Sequence, residues 1–226
     1  MGRLPIYLHR EQKYFLSTSY KVMFSFFQAQ EKLVPAPGRK TRYNQLAKRL
    51  SGHGAWPHYM VVRSPYLRFE SFFRDKFRKY PLNANPRKPK DRWQMVHYLL
   101  LERLGVNHIP DSETIRRALL NTSFKEAVRL LPSIYTKDAH LHPQHWHQRL
   151  QVHRIRFMAR FDRILHMENP EDMHFMQHCM GLNKLGKVNT SGDFGEPLVW
   201  DPASRAIINK VYRDDFRHFD YSMIES

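Results

Sequence analysis

The chain is poor in acid, nearly free of cysteine, and without a long apolar run. Its 226 residues include one cysteine, Cys179, which excludes a disulfide scaffold and any zinc site built from several thiolates. No stretch approaches the roughly eighteen apolar residues that a membrane helix needs, and Met1 to Gln12 has no signal-peptide core. A soluble, cytoplasmic protein with no membrane span is therefore expected. The glycine-rich phosphate loops are missing as well: neither G-x-x-x-x-G-K-[ST] nor G-x-G-x-x-G occurs. Acidic residues number 21 against 37 Lys and Arg, leaving a net charge of +16. A chain this basic attracts an anion: nucleic acid, a phosphorylated cofactor, an acidic polysaccharide or a membrane surface.

What is present can build a core. Hydrophobic residues make up 42%, with 15 Phe, 11 Tyr and 4 Trp, which excludes global disorder. The length suits a single domain. Lys13 to Ser19 and His58 to Val62 read as short buried strands. A helix is expected from Val22 to Leu33, and another from Arg42 to Leu50. Ser64-Pro65 opens a further helix that carries Tyr66, Phe69, Phe73 and Phe77 and stops near Pro81. Helices at Arg92–Leu104, Asp111–Leu119 and Ser123–Leu130 form a helical insertion over about residues 92–130. Tyr135 to His153 is irregular and histidine-rich, Arg154 to Phe161 reads as a strand, and Pro170 to Met180 as a helix closed by Gly181. A last helix runs from Pro202 to Phe216. The pattern predicts an α/β fold with a small, mainly parallel sheet and helices on both sides.

Two places have the residue types of phosphate chemistry. At the first, a strand runs through a small polar turn into a helix, with Lys21 and Ser25 beside it; free backbone amides, an ammonium and a hydroxyl can clamp a phosphate there. At the second, Arg63 stands at a strand end and Ser71 lies eight residues on, inside the next helix.

The run Arg63-x-Pro65-x-x-Arg68-x-x-Ser71 resembles the 3′-phosphate-binding motif of carbohydrate sulfotransferases, enzymes that use 3′-phosphoadenosine 5′-phosphosulfate (PAPS). Tyr20-Lys21-Val22-Met23-Phe24-Ser25-Phe26-Phe27 resembles their 5′-phosphosulfate loop, with Tyr20 where the family has proline. Asp138-Ala139-His140-Leu141-His142-Pro143-Gln144 resembles their Asp-x-His-x-x-Pro-Gln segment. Phe157 to Leu165 resembles the segment that follows, with Asp162 at its acidic position. Val211 to Tyr221 resembles the C-terminal Tyr-x-x-Asp-Phe-x-x-Phe-x-Tyr. The resemblance implies a P-loop-like sulfotransferase fold and transfer of a sulfuryl group to a hydroxyl, on a carbohydrate. It implies that Lys21, Val22, Phe24, Ser25 and Phe26 surround the 5′-phosphosulfate while Arg63 and Ser71 read the 3′-phosphate. It requires no metal and no nucleic acid. The base that takes the acceptor's proton is sought first at His140, then at His53, with His142 and His58 behind them.

Two rival functions use other features. His140-x-His142-x-x-His145-x-His147 is dense in imidazoles, as in metal-dependent hydrolases, although zinc needs three or four converging ligands. Arg74 to Lys90 mixes Lys and Arg with Phe77 and Tyr80, a composition that can track a nucleic-acid or other polyanion backbone without catalysis. His174-x-x-x-His178 lacks the glutamate of H-E-x-x-H and reads as a solvated helix face. The Lys184–Gly195 loop has residue types suited to closing over an adenosine.

Overall fold

A computed structural model describes residues 6–35, 55–85, 92–106, 111–152, 155–158, 161–182 and 198–225. In chain order its elements are β1 (Ile6–His9), β2 (Tyr14–Thr18), α1 (Phe24–Gln28), β3 (Leu33–Pro35), β4 (His58–Val62) and α2 (Pro65–Phe73). A π-helical stretch over Arg74–Lys79 leads into α3 (Tyr80–Asn83), followed by α4 (Met95–Arg103), α5 (Ser112–Asn121) and α6 (Phe124–Ile134). A 3-10 turn at Gln144–Gln148 precedes β5 (Arg149–Val152), β6 (Ile155–Met158), β7 (Arg163–His166), α7 (Pro170–His178), α8 (Pro202–Val211) and α9 (Arg213–His218).

The chain divides into two compact units. The first takes Met1–Ser64, Pro143–Thr190 and Arg217–Tyr221; the second takes Pro65–His142, Ser191–Phe216 and Ser222–Ser226.

The first unit is built on a five-stranded sheet in the order β3-β1-β2-β4-β7. Pairs β2–β4 and β4–β7 are parallel, whereas β1–β2 and β1–β3 are antiparallel. The sheet is thus mixed rather than mainly parallel. The parallel half holds the two strands expected from sequence plus β7, and the antiparallel strands β1 and β3 complete the other edge. Alternation along each strand sends side chains to opposite faces. Leu16, Val61 and Leu165 join Val22, Phe26, Phe27, Met176 and Met180 in one core cluster. Met60 and Val62 pack with Phe219 in another, with Phe161, Ile164 and Tyr221 at its margin. Each such fully buried side chain contributes about 1.5–3 kcal/mol.

The helix expected over Val22–Leu33 is cut to the five residues of α1, because Leu33 leaves it to pair with His9 as the start of β3. The strand expected over Arg154–Phe161 is β6, which pairs with β5 in a separate two-stranded sheet. The third parallel strand of the main sheet is β7 instead.

The second unit is helical, and it includes α4, α5 and α6 in the stretch expected as a helical insertion. Caps fix where its helices begin. Asp111 accepts the amides of Glu113 and Thr114 at the start of α5, and Ser123 with Glu126 forms a capping box on α6. The aromatic spacing after Pro65 builds the core: Phe73 stacks on Phe77 at 5.2 Å, and Phe124 meets Phe73 and Trp200 edge-on. The loose winding after Phe73 coincides with Pro81, which has no N–H to offer the Phe77 carbonyl. That carbonyl accepts from the Arg78 guanidinium instead, at 3.0 Å. Among the described residues no helix is long and apolar enough to cross a membrane.

Candidate functional site

Parallel strands β2, β4 and β7 end side by side, and open α/β sheets bind ligands outside the carboxyl ends of such strands. At the end of β2, the Thr18 hydroxyl donates to the Val22 carbonyl, and the Val22 amide reaches back to the Ser19 carbonyl at 3.3 Å. The chain is thereby drawn into a tight loop over residues 19–22. Lys21 and Met23 both take left-handed backbone conformations, with φ of 64° and 52°. Such a conformation costs a residue other than glycine about 1–2 kcal/mol, and strain of this kind gathers at ligand clamps. The loop makes its turn without a glycine: residues 19–22 are Ser-Tyr-Lys-Val.

The loop residues divide by burial. Val22 and Phe26 are buried in the sheet's core cluster, so their side chains are structural and only their backbones remain for a ligand. Phe24 is half-buried, its ring 4.9 Å from that of Tyr20, while Ser25 is exposed and Lys21 half-exposed. Helix α1 has only five residues, so its dipole adds little and the ammonium of Lys21 is the loop's charge.

Arg63 follows directly on β4. Its Nη1 donates to the Lys21 carbonyl at 3.4 Å, which lays the Arg63 guanidinium against the backbone of the Lys21 loop. Three further residues secure this corner. Gln144, fully buried, accepts the Arg63 amide at 3.0 Å through Oε1 and donates to the Arg63 carbonyl at 2.7 Å through Nε2. Glu168, just past β7, accepts the Ser64 amide at 3.0 Å and lies 3.9 Å from Arg63 Nε. Tyr221 donates its hydroxyl to the other Glu168 oxygen at 2.9 Å. Burial first, and then the Glu168 carboxylate, push the Tyr221 phenol well above its usual range, so it stays a donor.

Sequence reasoning assigned no role to Gln144, Glu168 or Tyr221, although Gln144 and Tyr221 lie in quoted motifs. Asp162, at the acidic position of its segment, lies away from this corner: its carboxylate accepts the His58 amide at 2.6 Å, at the start of β4 and the opposite end from Arg63.

Ser71 and His140 belong to the second unit. Ser71 is half-buried on α2. His140 donates from Nδ1 to Asp138 Oδ1 at 2.8 Å, and its backbone amide bonds the same oxygen at 2.8 Å. Burial raises the Asp138 carboxyl, but the bonds and charge of His140 and the charge of Lys76 outweigh it and hold it below the usual range. A carboxylate on Nδ1 is the arrangement that orients an imidazole for proton transfer.

The remaining histidines disperse. His142 is buried and donates to the Thr136 carbonyl at 3.1 Å, and burial lowers its pKa. His145 is buried and stacks on His218 at 5.3 Å. His58 is buried with its Nε2 at 2.7 Å from the Ser17 hydroxyl, a packed core histidine. His53 lies outside the described residues, as do the side chain of His147, the Arg42–Leu50 helix and the Lys184–Gly195 loop. Among the described residues no group of three or more His, Cys, Asp and Glu side chains is arranged to hold a metal ion. No family model, no curated protein and no solved structure matches this chain.

Proposed function

We propose that the protein is a sulfotransferase, moving the sulfuryl group of PAPS to a hydroxyl of a carbohydrate, with a P-loop-like sheet as its donor-binding frame. The observation that carries this reading is Arg63 laid against the Lys21 loop where parallel strands β2 and β4 end. Two cations at that edge suit a donor with phosphate at both ends of its ribose, and the basic charge of the chain draws it in.

In the reaction the acceptor oxygen bonds to sulfur as the bond from sulfur to the bridging phosphate oxygen breaks. Adenosine 3′,5′-bisphosphate leaves, and the hydroxyl proton passes to a base. By analogy with phosphoryl transfer, the protein's task is positioning and neutralising the charge that grows on the leaving oxygen. Lys21 performs the neutralisation, with Ser25 and the loop amides on the 5′-phosphate. Arg63 holds the 3′-phosphate through its planar fork. Ser71 is assigned to the same phosphate and His140 to the acceptor proton, both from the resemblance. The Asp138–His140 hydrogen bond gives His140 the chemistry for that role.

Transfer of labelled sulfate from PAPS to a panel of oligosaccharides tests the reading. Donor-dependent label in the sugar, lost in His140→Gln, supports both the activity and the base. Label that persists undiminished in His140→Gln removes the base assignment alone. No transfer to any acceptor, together with no binding of adenosine 3′,5′-bisphosphate, overturns the proposal.

A further inference from the structure

The backbone around Arg63 has an unusual partner. In a parallel sheet, successive residues of a strand turn their N–H and C=O groups toward opposite neighbours. The Val62 carbonyl accepts from the Met167 amide at 3.0 Å, on the β7 side. The N–H and C=O of Arg63 therefore face the β2 side. There the ladder has stopped: the last β2–β4 pair is Thr18 with Val61, and beyond it β2 turns away into the Lys21 loop. A strand end opened in this way leaves two half-buried backbone polar groups that need partners.

The carboxamide of Gln144 supplies both. One acceptor and one donor in a single plane match the N–H and C=O of one residue. Its Oε1 takes the Arg63 amide and its Nε2 gives to the Arg63 carbonyl. The same Oε1 also accepts the Ser19 hydroxyl at 3.4 Å, so Gln144 stands in for the missing strand and ties the two diverging ends together. Glutamate would offer acceptors only, and leucine nothing.

We infer that Gln144 is a positioning residue for donor recognition: by fixing the main chain on both sides of Arg63 and holding Ser19, it sets the guanidinium where it can select a 3′-phosphate. This inference rests on the proposed donor site. Arg63 without Gln144 keeps its charge but loses its fixed base. The cost therefore falls on discrimination between ligands with and without the 3′-phosphate, more than on binding of the 5′ end.

The test compares wild type with Gln144→Leu, using adenosine 3′,5′-bisphosphate and adenosine 5′-monophosphate as calorimetric ligands and amide hydrogen exchange as an independent readout. In wild type the Arg63 amide is protected, and the bisphosphate binds more tightly than the monophosphate. In Gln144→Leu, Arg63 protection drops at least tenfold while Val61 and Val62 stay protected. The ratio of the two affinities also falls at least tenfold, with little change for the monophosphate. Gln144→Glu, which keeps the acceptor and loses the donor, retains more Arg63 amide protection than the leucine variant. Unchanged Arg63 protection overturns the clamp. Lost protection with an unchanged affinity ratio overturns its role in recognition and leaves the donor site standing. A wild type that binds neither ligand overturns the donor site and, with it, the role of Gln144.

Discussion

Arg63 and Arg68 lie five residues apart in one motif, on either side of Pro65, and they are held in opposite ways. Arg63, in the first unit, keeps 23% of its side chain exposed and reaches a backbone carbonyl and a carboxylate at 3.9 Å. Arg68, in the second, is 2% exposed. Its Nη1 donates to the His142 carbonyl at 2.7 Å, its guanidinium sits 4.9 Å from the centre of the Tyr212 ring, and Asp215 lies 3.9 Å away. Tyr212 in turn donates to the Leu141 carbonyl at 2.8 Å. Arg68 and Tyr212 thus secure consecutive carbonyls of the turn that carries His140. Identical side chains in one motif divide into a cation presented at a strand end and a cation consumed by the fold. Burial separates them; the spacing in sequence does not.

The largest expected effect tests the buried side of this contrast. Arg68→Met removes one member of a buried charged group and should cost about 3–5 kcal/mol in urea unfolding, whereas Arg63→Ala should change stability by less than about 1 kcal/mol. Equal losses would erase the distinction. Lys21→Ala should lower PAPS turnover by on the order of 10²–10³, as for removal of a group that stabilises developing charge, with unfolding unchanged. Arg63→Ala should weaken adenosine 3′,5′-bisphosphate by about 1.5–3 kcal/mol, the range for a hydrogen bond to a charged group.

A titration sharpens the picture of the second unit. His97 is fully buried between Tyr80 and Trp93, and burial, with the charge of Lys76, pushes its pKa down from 6.5 to about 3. Its Nδ1 accepts the Gln94 amide at the start of α4. The folded state holds the ring neutral, so this contribution is complete above pH 6.5 and is lost as pH falls from there toward 3. His97→Gln keeps an acceptor for the cap and should flatten that part of the stability profile; an unchanged slope would assign it to other groups. The smallest effect is expected in the β1–β2 loop. Exposed Lys13 has φ of 56°, and Lys13→Gly should raise stability by about 0.5–1 kcal/mol.

Where local chemistry decides the structure, the sequence was readable. Strands β2 and β4 each contain a short apolar run, Tyr14–Leu16 and Tyr59–Val62, and Asp111, Ser123 and Pro202 mark helix starts that the structure keeps. Strand β7 was missed because its four residues, RILH, are charged or polar at both ends and acquire strand character only by pairing with β4. Helix α1 was overextended because Val22, Phe26, Phe27 and Leu33 are apolar for the sake of one core cluster, not one helix face. The left-handed turns at Lys21 and Met23 have no glycine to announce them. At the candidate site, Lys21 and Arg63 could be named from their motifs. Gln144 and Glu168 could not be given roles, since these depend on where two strands part and on a residue about eighty to a hundred positions away in sequence.

The most direct test of the central claim is calorimetric titration of the wild-type chain with adenosine 3′,5′-bisphosphate, with adenosine 5′-monophosphate as control and Arg63→Ala alongside. Preferential binding of the bisphosphate, with the preference lost in Arg63→Ala, is the predicted result. Equal affinity for the two nucleotides in wild type, or a preference that survives in Arg63→Ala, would contradict the assignment of this strand end as the site that reads the 3′-phosphate.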